Sequence, residues 1–82
     1  MPGLPKELPW RRFACVLRKL GYTAEKPKAG AARAFTNPNR TPNFVSFHEP
    51  HPGKNLGRAM LRKNLRHLLL TEDEFLYFLE DC

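Results

Sequence analysis

Three side chains near the middle of the chain have the chemistry to move a proton or hold a phosphate. His48, Glu49 and His51 lie in Phe47-His-Glu-Pro-His-Pro-Gly53. An imidazole exchanges protons near neutral pH, and a neighbouring carboxylate can hold it in one tautomer. His48 is the candidate acid, base or phosphate binder, and His51 reads as a polar residue at a strand end. His48-x-x-His51 as a metal pair lacks a third ligand at useful spacing, so no metal is expected. No nucleophile elbow, phosphate loop or zinc spacing occurs in the sequence.

A second feature is cationic. Arg58, Arg62 and Arg66 recur every four residues, with Lys63 beside them. Like charges at that spacing destabilise a helix by a few tenths of a kcal/mol per pair. No acid on the same segment relieves them, so the stripe points to an anionic partner, either RNA phosphate or an acidic protein surface. The wider charge pattern agrees. From Leu8 to Thr71 the only acids are Glu25 and Glu49, against thirteen of the fourteen Lys and Arg residues; five acids follow Thr71. A basic body of this kind attracts polyanions.

The elements that must position these residues follow from periodicity. Pro9 to Leu20 reads as a helix with Trp10, Phe13, Val16, Leu17 and Leu20 on one face, stopped by Gly21. Tyr22 to Lys26 and Ala31 to Asn37 read as short strands joined around Lys28-Ala29-Gly30. Asn37-Pro-Asn-Arg-Thr-Pro42 is a turn. Asn43 to His48 is a third strand, with Phe44, Ser46 and His48 on one face and Val45 and Phe47 on the other. A second helix should run from about Leu56 to Leu68, burying Leu61, Leu65 and Leu68 with help from Ala59 or Met60. Leu69 and Leu70 extend that apolar surface into a turn. Thr71 with Glu74 matches a capping box for a third helix, from which Phe75, Phe78 and Leu79 pack inward. The order α-β-β-β-α-α fits an α+β fold, a three-stranded antiparallel sheet with helices on one face.

Eighty-two residues, 41% of them hydrophobic, suit one domain over 1–82 with a modest core. No apolar run approaches the roughly 20 residues of a membrane span, and Met1 to Glu7 lacks the apolar stretch of a signal peptide. A cytoplasmic protein with no membrane partner is the expectation. The two cysteines, Cys15 and Cys82, are too few for a disulfide framework, and Cys15 is expected to be a small core or boundary residue with a free thiol.

In order and spacing, several segments resemble the HicA toxin family, small mRNA interferases with a fold like a double-stranded-RNA-binding domain. They are Leu17-Arg-Lys-Leu-Gly-Tyr22, Lys28-Ala-Gly-Ala-Ala-Arg-Ala-Phe35, Phe47-His-Glu-Pro-His-Pro-Gly53, Leu61-Arg-Lys-Asn-Leu65 and Leu70-Thr-Glu-Asp-Glu-Phe75. The resemblance implies metal-independent, cofactor-free endonuclease action on mRNA and silencing by a HicB-like antitoxin. In the family a histidine in a Gly-Ser-His-like motif is thought to be the general base that activates a 2′-OH. Here Gly30-Ala31-Ala32 takes that place, so Ala32 occupies the expected histidine position and cannot exchange a proton. Three readings stay open: a deliberate inactivating substitution, a natural change in a subgroup where His48 does the work, or a chain that only binds RNA or its partner. Lys28, Arg33, Arg58, Arg62 and Lys63 are the expected contacts for RNA phosphate or antitoxin. The alternatives to a nuclease scaffold are a non-catalytic RNA-binding module and a basic protein-interaction domain.

Overall fold

Apolar residues at three- and four-residue spacing make the first helix, and a buried asparagine closes it. The computed structural model describes residues 3–27 and 30–82. Its elements are β1 (Glu7–Leu8), α1 (Trp10–Lys19), β2 (Thr23–Ala24), β3 (Ala32–Thr36), β4 (Phe44–His48), β5 (Leu56–Gly57), α2 (Arg58–Leu68) and α3 (Glu72–Leu79). Helix α1 begins after Pro9 and buries Phe13, Ala14, Val16 and Leu17. Gly21 ends it with φ +94°, where a Cβ would come within 2.9 Å of the Asn37 side chain. Asn37 needs that space: its Nδ2 donates to the Leu20 carbonyl at 3.0 Å, and its Oδ1 accepts from the Asn39 amide.

Strands β2, β3 and β4 form an antiparallel sheet in that order. Phe35, Val45 and Phe47 point from its inner face into the core. Phe13 is the hub there, fully buried, edge-on to Phe47 at 5.3 Å and tilted against Phe75 at 6.1 Å. Helix α2 adds Leu61, Leu65 and Leu68 to the same cluster, and α3 adds Phe75 and Leu79. Thr71 and Glu74 form the expected capping box at the start of α3. The architecture is α+β, a three-stranded antiparallel sheet with three helices.

Several local expectations give way to tertiary structure. Two short strands absent from the sequence reading, β1 and β5, pair antiparallel and tie the N-terminal segment to the start of α2. The Arg58 amide extends that ladder by donating to the Lys6 carbonyl at 3.0 Å. Helix α2 therefore starts at Arg58, and Ala59 and Met60 are exposed; Asn64 is buried in their stead. Leu69 does not join the core. It is 68% exposed and adopts the left-handed conformation that terminates α2, which frees Leu70 to turn inward.

The cysteines give the largest correction. Cys15 and Cys82 form a disulfide, with Cα atoms 6.0 Å apart. Helix α3 packs along α1 and returns the last residue to the middle of it, a pairing that sequence separation conceals. Disulfides persist in oxidising compartments and are rare in reducing ones, so the bridge and the cytoplasmic expectation pull in opposite directions. No helix among the described residues is long and apolar enough to cross a membrane.

Candidate functional site on the open face of the sheet

The face of the sheet turned away from the helices is a small grid. Residues opposite one another on paired strands share a face, and the register pairs Thr23 with Thr36, Thr36 with Phe44, Ala34 with Ser46, and Ala32 with His48. The Glu25 amide donates to the Ala34 carbonyl at 2.8 Å, which carries the β2 side of the grid one residue further. One row is thus Thr23-Thr36-Phe44, the next Glu25-Ala34-Ser46, and the last ends in Ala32-His48. Phe44, Ser46 and His48 are exposed along β4, as their alternation requires.

Ala32 and His48, far apart in sequence, are direct cross-strand neighbours. The Glu49 amide donates to the Ala31 carbonyl at 2.8 Å, so the Ala32–His48 pair lies between ladder hydrogen bonds. In such pairs the side chains approach most closely, with Cα atoms roughly 4.5 Å apart. The position expected to carry an imidazole is empty of one, and an imidazole stands beside it on the next strand. His48 also borders a recess of about 160 Å³ lined by Pro50, Asn55, Leu56, Gly57 and Met60, beside the start of α2.

Glu49 does not orient either histidine. Its Oε1 accepts from Arg33 Nε at 2.8 Å. Arg33 also donates from Nη1 to the carbonyls of Gly30 and Ala32, at 2.9 and 3.0 Å. This network closes the end of the β3–β4 hairpin from the other side, since Arg33 has the parity of Phe35. His51 is exposed and lines a separate hollow with Arg33, Glu49 and Pro50. His48 and His51 therefore do not form one site. Among the described residues no group of three His, Cys, Asp or Glu side chains is placed to hold a metal ion.

The other expected cations are scattered. Lys28 lies outside the described residues. Arg58 Nε donates to the Leu4 carbonyl at 3.1 Å and pins the N-terminal segment. Arg62 has an acid after all, Glu72 from α3 at 3.6 Å, so the stripe on α2 is partly relieved across the helix junction. Lys63 and Arg66 are exposed, with no hydrogen-bond or ion-pair partner among the described residues. His67 is exposed in the last turn of α2, where a cation suits the helix dipole.

Sequence reasoning missed the hollow in the centre of the grid. It measures about 350 Å³ and is lined by Glu25, Lys26, Pro27, Ala32, Ala34, Phe44 and Ser46. Glu25 Oε2 accepts from the Thr36 hydroxyl at 3.1 Å. Phe44 is 60% exposed. The signal was present as an aromatic residue on the polar face of β4, in phase with Ser46 and His48.

These features define a small α+β domain whose basic body carries an unprotected sheet face with one imidazole and one exposed aromatic. The family model described as the HicA toxin of bacterial toxin-antitoxin systems matches residues 10–70. That span holds α1, the whole β2–β3–β4 sheet and α2, and the chain belongs to the HicA toxin family. Toxin–antitoxin partnering in general comes with that membership. Comparison with curated proteins and with solved structures gave no match.

Proposed function

We propose that the protein is an mRNA interferase-type toxin that cleaves RNA on the open sheet face, with His48 in place of the imidazole that Ala32 lacks. The cross-strand pairing of Ala32 with His48 carries this reading. A side chain reaching from the neighbouring strand at a closely spaced pair serves nearly the same point above the sheet. His48 would accept the proton of a ribose 2′-OH as its oxygen bonds to the adjacent phosphorus. The bond from phosphorus to the 5′-oxygen breaks, leaving a 2′,3′-cyclic phosphate and, after protonation, a 5′-hydroxyl. DNA, without the 2′-OH, would be spared.

Lys28, Arg33, Arg58, Arg62 and Lys63 are proposed contacts for phosphate or for a HicB-like antitoxin. Among the described residues Lys63 is the freest of them, because Arg33 and Arg58 already donate to backbone carbonyls and Arg62 pairs with Glu72. An antitoxin silences the toxin in this reading by covering the sheet face.

The test is single-stranded RNA incubated in EDTA with the chain, with His48→Ala and with Ala32→His. The chain should cleave, and His48→Ala should slow it by roughly 10²–10⁴-fold, the usual contribution of a general base. Cleavage only by Ala32→His would show a disabled scaffold and overturn the role given to His48.

A further inference from the structure

The hollow in the centre of the grid is not lined by His48, yet its lining is chemically specific. Its floor is made of small side chains, Ala32, Ala34 and Ser46, on adjacent positions of paired strands. Phe44 rises at one edge, 60% exposed, although burial of an aromatic ring is the ordinary outcome in a core this well filled. Glu25 stands at the opposite edge. It is one of only two acids between Leu8 and Thr71, and the other, Glu49, is neutralised by Arg33. Lys26 lies next to it on the rim.

A carboxylate on an RNA-facing surface repels phosphate, so it has to meet something else. The Thr36 hydroxyl occupies Glu25 Oε2, and Oε1 has no protein partner among the described residues. A free carboxylate oxygen accepts hydrogen bonds and donates none. Exocyclic amino groups of adenine, cytosine and guanine are donors that suit it; uracil has two carbonyl acceptors flanking its single ring N–H. An exposed aromatic ring over a flat apolar floor is the arrangement on which unstacked bases rest. At about 350 Å³ the hollow falls in the size range of small-ligand sites.

Resting on the RNA reading above, we propose that this hollow is a base-binding subsite. Phe44 stacks one unpaired base, and Glu25 selects bases that carry an exocyclic amino group over uracil. Charge complementarity favours a nucleic acid occupant, since the chain carries a net charge of +6 and Lys26 puts a cation on the rim of the hollow. The scale also fits. Phe44 and His48 are four residues apart on one strand, about 13 Å, so the base is held within a nucleotide or two of the scissile phosphate. Ala32 then has a second consequence: a histidine at that position would fill part of the hollow, and alanine keeps it open.

The probes are 2′-O-methyl hexanucleotides of A, C or U, which bind without being cut, measured by fluorescence polarisation at low salt. The A and C oligomers should bind at least tenfold tighter than the U oligomer. Glu25→Gln, which keeps the size and the Thr36 contact but adds an N–H donor, should remove that preference. Phe44→Ala should weaken all three by roughly fivefold to a hundredfold, the usual loss for one stacked base. Equal affinity for all three oligomers, or a preference unchanged in Glu25→Gln, overturns the subsite and leaves the RNA reading standing. No salt-sensitive binding of any oligomer overturns both, and assigns the face to a protein partner.

Discussion

The open sheet face and the helical layer use polar residues in opposite ways. On the helical side, and in the β3–β4 connection that abuts it, several arginines are fastened to the chain itself. Arg12 donates to the carbonyls of Leu79 and Cys82 at the end of α3. Arg40 donates to the Leu68 carbonyl at 2.8 Å and to the Tyr22 hydroxyl at 3.0 Å, with its guanidinium 5.8 Å from the Tyr22 ring centre. Arg58 holds Leu4, and Arg62 meets Glu72. Helix ends leave carbonyls without intrahelical partners, and a guanidinium is well shaped to satisfy them. The sheet face has fewer charges, but Phe44, Ser46 and His48 are exposed there and the Glu25 carboxylate is only half engaged. A high count of cations marks the first region and an uncommitted set of groups marks the second. Uncommitted groups are the better guide to where a ligand binds.

Two phenylalanines give that contrast its hardest test. Phe13→Ala removes a fully buried ring from the centre of the aromatic cluster and should cost about 3–5 kcal/mol of folding stability. Phe44→Ala, on the open face, should stay within roughly 0.5 kcal/mol of the parent. Denaturant unfolding of the two variants measures both. A large loss from Phe44→Ala would make that ring a structural residue and remove the reason to assign it a ligand.

The same division explains what was legible in the sequence. The three-stranded sheet, the three helices and the capping box are written in local periodicity, so they could be read residue by residue. The alternation of β4 even assigned Phe44, Ser46 and His48 to one face. Four features depended on distant partners and could not be read that way. The pairing of β1 with β5 rests on two-residue strands too short for any pattern. The Cys15–Cys82 bridge needs α3 laid against α1. Relief of Arg62 comes from an acid on the next helix. The neighbourhood of Ala32 and His48 is set by hairpin register, which the Pro- and Asn-rich connection from 37 to 43 leaves open until the strands pair. Resemblance located Ala32, and only the register shows what stands beside it.

Arg40 and Lys63 sharpen the comparison among the cations. Arg40→Ala leaves the Tyr22 hydroxyl and the last carbonyl of α2 without their charged donor, and should cost about 1.5–3 kcal/mol, read from the shift of the unfolding midpoint. Its effect on RNA affinity should be small once the variant is folded. Lys63→Ala should do the reverse: stability nearly unchanged, and a shallower dependence of RNA affinity on salt, by about one unit of slope or less for one lost phosphate contact. If Arg40→Ala changes the salt slope and Lys63→Ala does not, the division between fastened and free cations is wrong.

The smallest expected effect lies at the start of α3, where an acid is used as the arginines are, for structure. Glu74 Oε1 accepts from the Thr71 amide at 2.9 Å, and the Thr71 hydroxyl accepts from the Glu74 amide at 3.1 Å. The hydrogen bonds from Thr71, backbone first and then side chain, hold the Glu74 carboxyl below its ordinary pKa. A carboxyl depressed in the folded state binds its proton more weakly there than in the unfolded chain. Its contribution is therefore complete above the unfolded pKa and disappears as pH falls through the lower, folded value. Glu74→Gln keeps an acceptor for the Thr71 amide and removes the titration. The parent should be more stable than Glu74→Gln at neutral pH, and the two unfolding midpoints should converge in acid below the normal carboxylate range. Because the carboxylate is solvent-exposed, added salt should narrow the gap at neutral pH as well. A gap that persists unchanged into acid would mean that the capping box acts through packing and not through the charge on Glu74.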